Sequence, residues 1–170
     1  MSPPNLKIVA IARHEAHAYA GDEDRPLGSY LALMGGYGAF VGMLSAAVCV
    51  SRRSLPRRPA VGDVVLTAIA THKVARLLSK DPVTSPLRAP FTRFQGQSGE
   101  AEIDEEVRGT GPRKALGEVV TCPFCLDQWV ATAFSFGLIF APRATRFIAG
   151  VFTVTTLSDF LQLAYGKAQA

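Results

Sequence analysis

A stretch of 24 residues without a charged side chain, Leu27–Val50, constrains this chain more than any other feature of its sequence. At ~1.5 Å per residue, a helix of this length crosses the ~30 Å hydrocarbon core of a bilayer. A soluble protein would have to bury such a helix on every side. We therefore predict a transmembrane helix over residues 27–50, preceded by a polar and interfacial segment, residues 1–26.

The composition of the whole chain agrees with membrane insertion. Hydrophobic residues make up 48% and charged residues 19% of the chain, whereas a soluble domain carries about 25% charged residues. The net charge of +4 comes from lysines and arginines that flank the apolar stretches, as is typical of membrane topology. This placement argues against nucleic-acid binding, and the composition excludes a secreted disulfide scaffold and most cytosolic enzymes.

Three further apolar stretches predict an all-α, multi-pass membrane protein with about four transmembrane helices. The second helix covers Val61–Ser79, the third lies within Leu116–Pro142, and the fourth covers Thr145–Tyr165. Residues 80–115 form one long hydrophilic loop between helices two and three. Its prolines disfavour a regular helix, and its acidic, glycine-containing middle indicates mobility. Residues 61–166 are thus expected to form one membrane domain that includes this loop.

Charged residues inside the second and third predicted helices mark a candidate site within the membrane. His72, Lys73 and Arg76 lie on one side of the second helix, and Glu118 and Asp127 are the charged residues of the third. A charge that contacts lipid costs at least ~2.5 kcal/mol. We therefore expect these five residues to form an intramembrane polar cluster.

Depth along the two helices predicts one specific contact in that cluster. Arg76 lies about 4.5 Å below the membrane surface and Asp127 about 6 Å below it, at ~1.5 Å per residue. We predict that these two side chains face each other, with Glu118 or Lys73 as substitute partners. The alternative is that the Arg76 side chain extends to the lipid headgroups.

The sharpest local motif is the CxxC sequence formed by Cys122, Pro123, Phe124 and Cys125. Pro123 suits the first turn of a helix that Thr121 can cap, so Cys122 is placed at a helix N-terminus, which favours a thiolate. Such a motif is typical of disulfide exchange or of metal binding, although a structural zinc site needs two further ligands. Simple packing of two small thiols is the third interpretation. No residue is assigned a catalytic role, and no cofactor is expected.

Two motif blocks resemble a known bacterial family. The first combines ATHKVARLL (70–78), KDPVT (80–84), PLR (86–88) and PF (90–91), and the second combines GE (117–118), CPFC (122–125) and Trp129. In this order they resemble the domain-of-unknown-function family thirteen-sixty, small multi-pass membrane proteins of which some are labelled sporulation proteins. Asp127 and Gln128 depart from the small residues expected there.

The resemblance covers residues 64–165, and it implies a location in the bacterial plasma membrane. The helix over residues 27–50 is then an addition at the N-terminal side. The resemblance brings no activity, cofactor or catalytic residue with it.

Together these features predict an integral membrane protein that is not an enzyme. We expect it to contact the lipid bilayer and to bind a protein partner or further copies of itself, and we expect no nucleic acid. The alternative is a thiol-redox or metal-binding membrane protein centred on Cys122 and Cys125. The number of basic residues favours a cytoplasmic long loop, whereas their density in the short loops favours the opposite orientation. The first orientation would keep both thiols in a reducing compartment.

Overall fold

The computed structural model describes residues 4–21 and 23–169, and most of them are helical. The helices are α1 (Pro4–Ala20), α2 (Leu27–Val50), α3 (Val61–Lys80), α4 (Ser85–Arg88), α5 (Gly111–Thr121), α6 (Pro123–Phe140) and α7 (Pro142–Gln169), and the strands are β1 (Thr92–Gly99) and β2 (Glu102–Val107). Within the described ranges, the three helices α2, α6 and α7 are long and apolar enough to cross a membrane. Helix α3, which carries more charge, is not among them.

Helix α3 lies at the centre of the bundle, packed against α6 and α7. Its Ala70 is fully buried and contacts a small core with Phe134 of α6 and Ala149 of α7. Small residues let membrane helices approach closely. Gly137 of α6 has the same role, because a Cβ atom there would lie 2.8 Å from the hydroxyl oxygen of Thr145 in α7.

Two ion pairs show that α3 and α7 run in the same direction. Near the start of both helices, the Arg146 guanidinium donates two hydrogen bonds of 2.7 Å to the Asp63 carboxylate. Further along both helices, Lys73 Nζ donates to Asp159 Oδ2 at 2.5 Å. Helix α6 must therefore run antiparallel to both, since it is joined to α7 by a single residue, Ala141.

Helix α2 lies at the periphery and runs parallel to α6. The Tyr37 hydroxyl is 2.8 Å from the Thr132 hydroxyl, and beyond the end of α2 the Arg53 guanidinium donates to the Ile139 carbonyl at 2.8 Å. The four long helices thus alternate in direction along the chain. We call residues 81–121 at one end of the bundle the cap, and residues 51–60 together with 141–146 at the other end the arginine end.

The cap is a folded unit and not the irregular loop that the sequence predicted. It contains a 3₁₀ turn (Pro82–Thr84), the short helix α4, an antiparallel hairpin of β1 and β2, and α5. The all-α prediction is therefore wrong for residues 92–107. Ile103 is buried and Val107 half-buried on β2, where they alternate with polar residues at the period of a strand. Gly117 of α5 allows this packing, because a Cβ atom there would lie 2.6 Å from Val107.

The third predicted helix is divided into α5 and α6. Cys122 separates the two helices with an extended backbone, φ −100° and ψ 109°. The physical reason is Pro123, because a proline ring disfavours the α conformation of the residue before it. The chain therefore changes direction at the CxxC motif, where α6 begins.

Candidate functional site at the cap

The CxxC motif forms the N-terminus of α6, as its sequence predicted. The Cys122 sulfur accepts a hydrogen bond from the Cys125 backbone amide at 3.3 Å and so caps the helix. Thr121, the predicted capping residue, instead donates its hydroxyl to the Gly117 carbonyl at 2.9 Å. Both cysteines are free thiols, and Cys125 is exposed.

The surroundings of this motif supply no set of metal ligands. In the part of the chain that the structure describes, no three His, Cys, Asp or Glu side chains are arranged to hold a metal ion. The remaining cysteine, Cys49, lies at the end of α2 near the arginine end. The metal-binding and redox hypotheses for Cys122 and Cys125 therefore gain no support beyond the motif itself.

Glu118, one turn before the motif, connects α5 to the start of α2. The Tyr30 hydroxyl donates to Glu118 Oε2 at 2.6 Å, and the Arg25 guanidinium lies 3.9 Å from the other carboxylate oxygen. Tyr30 and the neighbouring Glu23 carboxylate raise the pKa of Arg25 above its ordinary value. Glu118 is thus part of the contact between the cap and α2.

The predicted contact between Arg76 and Asp127 is wrong. Arg76 donates from Nε and Nη2 to the two carboxylate oxygens of Glu102, at 2.8 and 2.5 Å. Glu102 begins β2, so the hairpin brings a carboxylate over the last turns of α3. Asp127 Oδ1 is buried and has no hydrogen-bond partner within the described ranges. The depth argument considered α3 and α6 alone and therefore missed a carboxylate supplied by the cap.

Of the other two predicted cluster residues on α3, one contacts a neighbouring helix. Lys73 faces Asp159 of α7, whereas His72 is exposed. The five residues of the predicted cluster thus do not form one group, because their contacts lead to α7, to the hairpin and to α2. Asp159 was missed, although it is the one acidic residue of α7 and could have been matched to a basic residue of α3.

A buried ion pair fastens the hairpin to the end of α3. Arg88 is 1% exposed and donates from Nε to the Glu105 carboxylate, whose side chain is 6% exposed. Its Nη1 donates to the Leu78 carbonyl at 2.8 Å and to the Thr84 hydroxyl at 2.6 Å, and its Nη2 donates to the Asp81 carbonyl at 3.0 Å. Arg88 thereby satisfies a carbonyl that the last turn of a helix leaves free. The sequence motif contained Arg88, but no role could be assigned to it without the fold.

These features define a class of helical protein in which a charged central helix lies among helices that are long and apolar enough to span a membrane and carries a folded cap. The chain belongs to the family described as "Protein of unknown function (DUF1360)", whose family model matches residues 66–165. The resemblance that the motifs indicated is thus confirmed. The match begins within α3, so α2 lies outside it.

One relative is "Sporulation protein YjcA" of Bacillus subtilis (strain 168). It is 26% identical over 107 residues, which make up 61% of this chain and 91% of the relative. No solved structure gives a significant match.

Proposed function

We propose that this chain is a non-enzymatic integral membrane protein with four spans, α2, α3, α6 and α7, that presents its cap to a protein partner. The observation that carries the proposal is the central position of α3, which runs parallel to α7 and is packed between α6 and α7. At ~1.5 Å per residue its 20 residues extend about 30 Å, the thickness of the hydrocarbon core. Its charges are tolerated because α7 and the cap pair with them.

Side-specific labelling tests the number of spans. Single cysteines are introduced at Leu55, Glu100 or Ala141 after the three native cysteines have been replaced by serine. Four spans place Leu55 and Ala141 on one side of the membrane and Glu100 on the other. An impermeant thiol reagent should then label Glu100→Cys from the side opposite to the other two. Labelling of Leu55→Cys and Glu100→Cys from the same side would remove α3 as a span.

Carbonate washing tests membrane integration itself. The spans proposed here should keep the full chain in the membrane pellet at high pH. Release into the soluble fraction would contradict an integral protein.

The size of the cap supports partner binding. Two helices of a bundle need a connection of about 2–8 residues, whereas residues 81–110 separate α3 from α5 and fold into defined elements. Arg88 and Arg76 hold the hairpin in place, so it offers a fixed surface. Phe94 of β1 is 66% exposed on it. The name of the Bacillus subtilis relative gives that protein a process and no reaction, in keeping with a role without catalysis.

Photocrosslinking in cells tests the partner. A photoreactive amino acid replaces Phe94 on the cap or, as the control, Phe147 on the exposed surface of α7. We expect a discrete protein adduct from position 94 and none from position 147. An adduct with a second copy of the chain would identify self-assembly as the form of partner binding. Lipid adducts alone at both positions would contradict the proposal.

A further inference from the structure

The arginine end carries positive charge that the protein does not neutralise. It contains six arginines and no acidic residue, and the nearby Asp63, in the first turn of α3, is bound by Arg146. Four exposed guanidinium groups have neither a carboxylate nor a hydrogen-bond partner among the residues described: those of Arg52, Arg57, Arg58 and Arg143.

The cap end differs in this respect. There Arg76, Lys80 and Arg88 each lie beside a carboxylate of β2. Residues 81–121 carry five basic and seven acidic side chains, so the excess of positive charge is concentrated at the arginine end.

One arginine holds the α2–α3 loop against the α6–α7 turn. Besides its hydrogen bond to the Ile139 carbonyl, the Arg53 guanidinium lies 5.9 Å from the centre of the Phe140 ring. Both contacts are at the end of α6, three to four residues before Arg143. The loop arginines and Arg143 are thereby brought to the same end of the bundle.

Arg52 adds an independent observation. It ends α2 in the left-handed conformation, with φ +51°, and the Arg53 amide donates to the Val48 carbonyl at 3.2 Å. Glycine is the usual residue at this position of a helix C-terminus, and a non-glycine residue there is strained. This turn places the exposed Arg52 directly at the end of α2, and its guanidinium has no partner in the described chain.

We propose that the arginine end binds the phosphate groups of anionic phospholipids in the adjacent leaflet. Helices α2, α6 and α7 are long and apolar enough to span a bilayer, so their ends at residues 50, 140 and 142 lie at the level of the headgroups. The planar guanidinium group matches phosphate oxygens in two parallel hydrogen bonds.

The test measures lipid affinity with the full chain in a mild detergent. Phosphatidylglycerol or phosphatidylcholine is titrated, and bound lipid is counted by native mass spectrometry. Arg57→Gln/Arg58→Gln is compared with Arg93→Gln/Lys167→Gln, which removes two exposed basic charges from the other end of the bundle. Removing an arginine near a membrane surface costs about fivefold in affinity. We therefore expect phosphatidylglycerol binding to weaken about 25-fold in the first variant and to stay unchanged in the second.

Two results would show that the arginines do not select anionic lipid: equal weakening of phosphatidylglycerol binding in both variants, or binding of phosphatidylcholine as tight as that of phosphatidylglycerol. Displacement of phosphatidylglycerol by millimolar inorganic phosphate would also overturn the proposal, because it would assign the site to free phosphate. If Arg57→Gln/Arg58→Gln does not fold, a salt titration of the unmodified protein replaces it. Phosphatidylglycerol affinity should then fall as salt screens the arginines, and a salt-independent affinity would overturn the proposal. Neither variant changes Phe94, so failure here is distinguishable from failure of partner binding by the cap.

Discussion

Helices α2 and α3 are consecutive in the chain and belong to one bundle, but they differ in charge and in burial. Helix α2 has no charged residue, yet Val48 is its one buried residue. Helix α3 carries Asp63, Lys73 and Arg76, yet it buries four residues and occupies the centre. In a membrane the apolar helix contacts lipid, and the charged helix must be enclosed by protein. Hydropathy alone therefore identifies α2 as a candidate membrane span and fails to identify α3.

The two helices also differ in how they are attached. Helix α3 shares a core with α6 and α7 and forms ion pairs at several depths. Helix α2 is attached by separate contacts, among them Trp129 of α6, whose ring lies 5.2 Å from that of Tyr37 and 5.6 Å from that of Phe40. Substitutions should therefore be costly around α3 and mild in α2.

The largest effect is expected where the cap is fastened to the end of α3. Glu105→Ala leaves the buried Arg88 without its carboxylate, and loss of one partner of a buried ion pair costs about 3–5 kcal/mol. The free energy of unfolding in detergent should fall by about that amount. Glu106→Ala, which removes an exposed carboxylate bonded to Gln95, is the control and should change it by less than ~0.5 kcal/mol. Equal losses would show that Arg88 does not depend on Glu105.

Removal of the residue on α7 that pairs with Lys73 should give the next largest loss of stability. With α3 and α7 in the membrane as proposed, Asp159→Leu leaves the partly buried Lys73 unpaired there, which costs about 2.5–3.5 kcal/mol. The double variant Lys73→Leu/Asp159→Leu should recover most of that loss, since apolar residues can replace an ion pair in an apolar environment. Thermal unfolding of the two variants in the same detergent decides the matter. If the double variant is less stable than Asp159→Leu, then the two residues are not coupled as described.

Substitutions that enlarge a small side chain compare the packing of α3 and α2 directly. Ala70→Leu forces a larger side chain into the fully buried contact of α3 with α6 and α7 and should cost about 1–3 kcal/mol. Ala46→Leu makes the same change on the exposed side of α2 and should stay within ~0.5 kcal/mol. Both are measured as shifts of the unfolding midpoint. A loss of similar size at Ala46 would mean that α2 is covered by another protein.

The smallest effect is expected at the contact of α2 with the cap. Tyr30→Phe removes the hydrogen bond to Glu118 and should cost about 0.5–1.5 kcal/mol. Hydrogen exchange should increase in the first turns of α2 and stay unchanged in α3. Tyr165→Phe, at an exposed position of α7, serves as the control. Faster exchange in α3 would show that the two helices open together.

The helices were predicted from the sequence more accurately than the cap was. The bounds of α2 are those predicted, because Pro26 and the arginines after Val50 frame an uncharged run. The hairpin was missed because β1 and β2 contain few apolar residues, and its position depends on packing of Val107 against Gly117 of α5. Such a contact between distant segments leaves little trace in local composition.

The error at Arg76 followed from the missed hairpin. The position of Arg76 near the end of its helix could be derived from the sequence, but its partner Glu102 comes from a segment predicted to be irregular. Lys73 is paired with Asp159 of a neighbouring helix. Which residue pairs with which was decided by the parallel arrangement of α3 and α7.

That parallel arrangement sets an order of events during synthesis. Lys73 and Asp159 are 86 residues apart, and Asp63 and Arg146 are 83 apart. At ~5–20 residues per second, a ribosome needs roughly 4–17 s to make the chain between Lys73 and Asp159. Throughout that interval Lys73 of the nascent α3 lacks its partner on α7, whereas Arg76 can already pair with Glu102 of the cap. If α3 spans the membrane as proposed, it can therefore complete its ion pairs only after α7 has emerged from the ribosome.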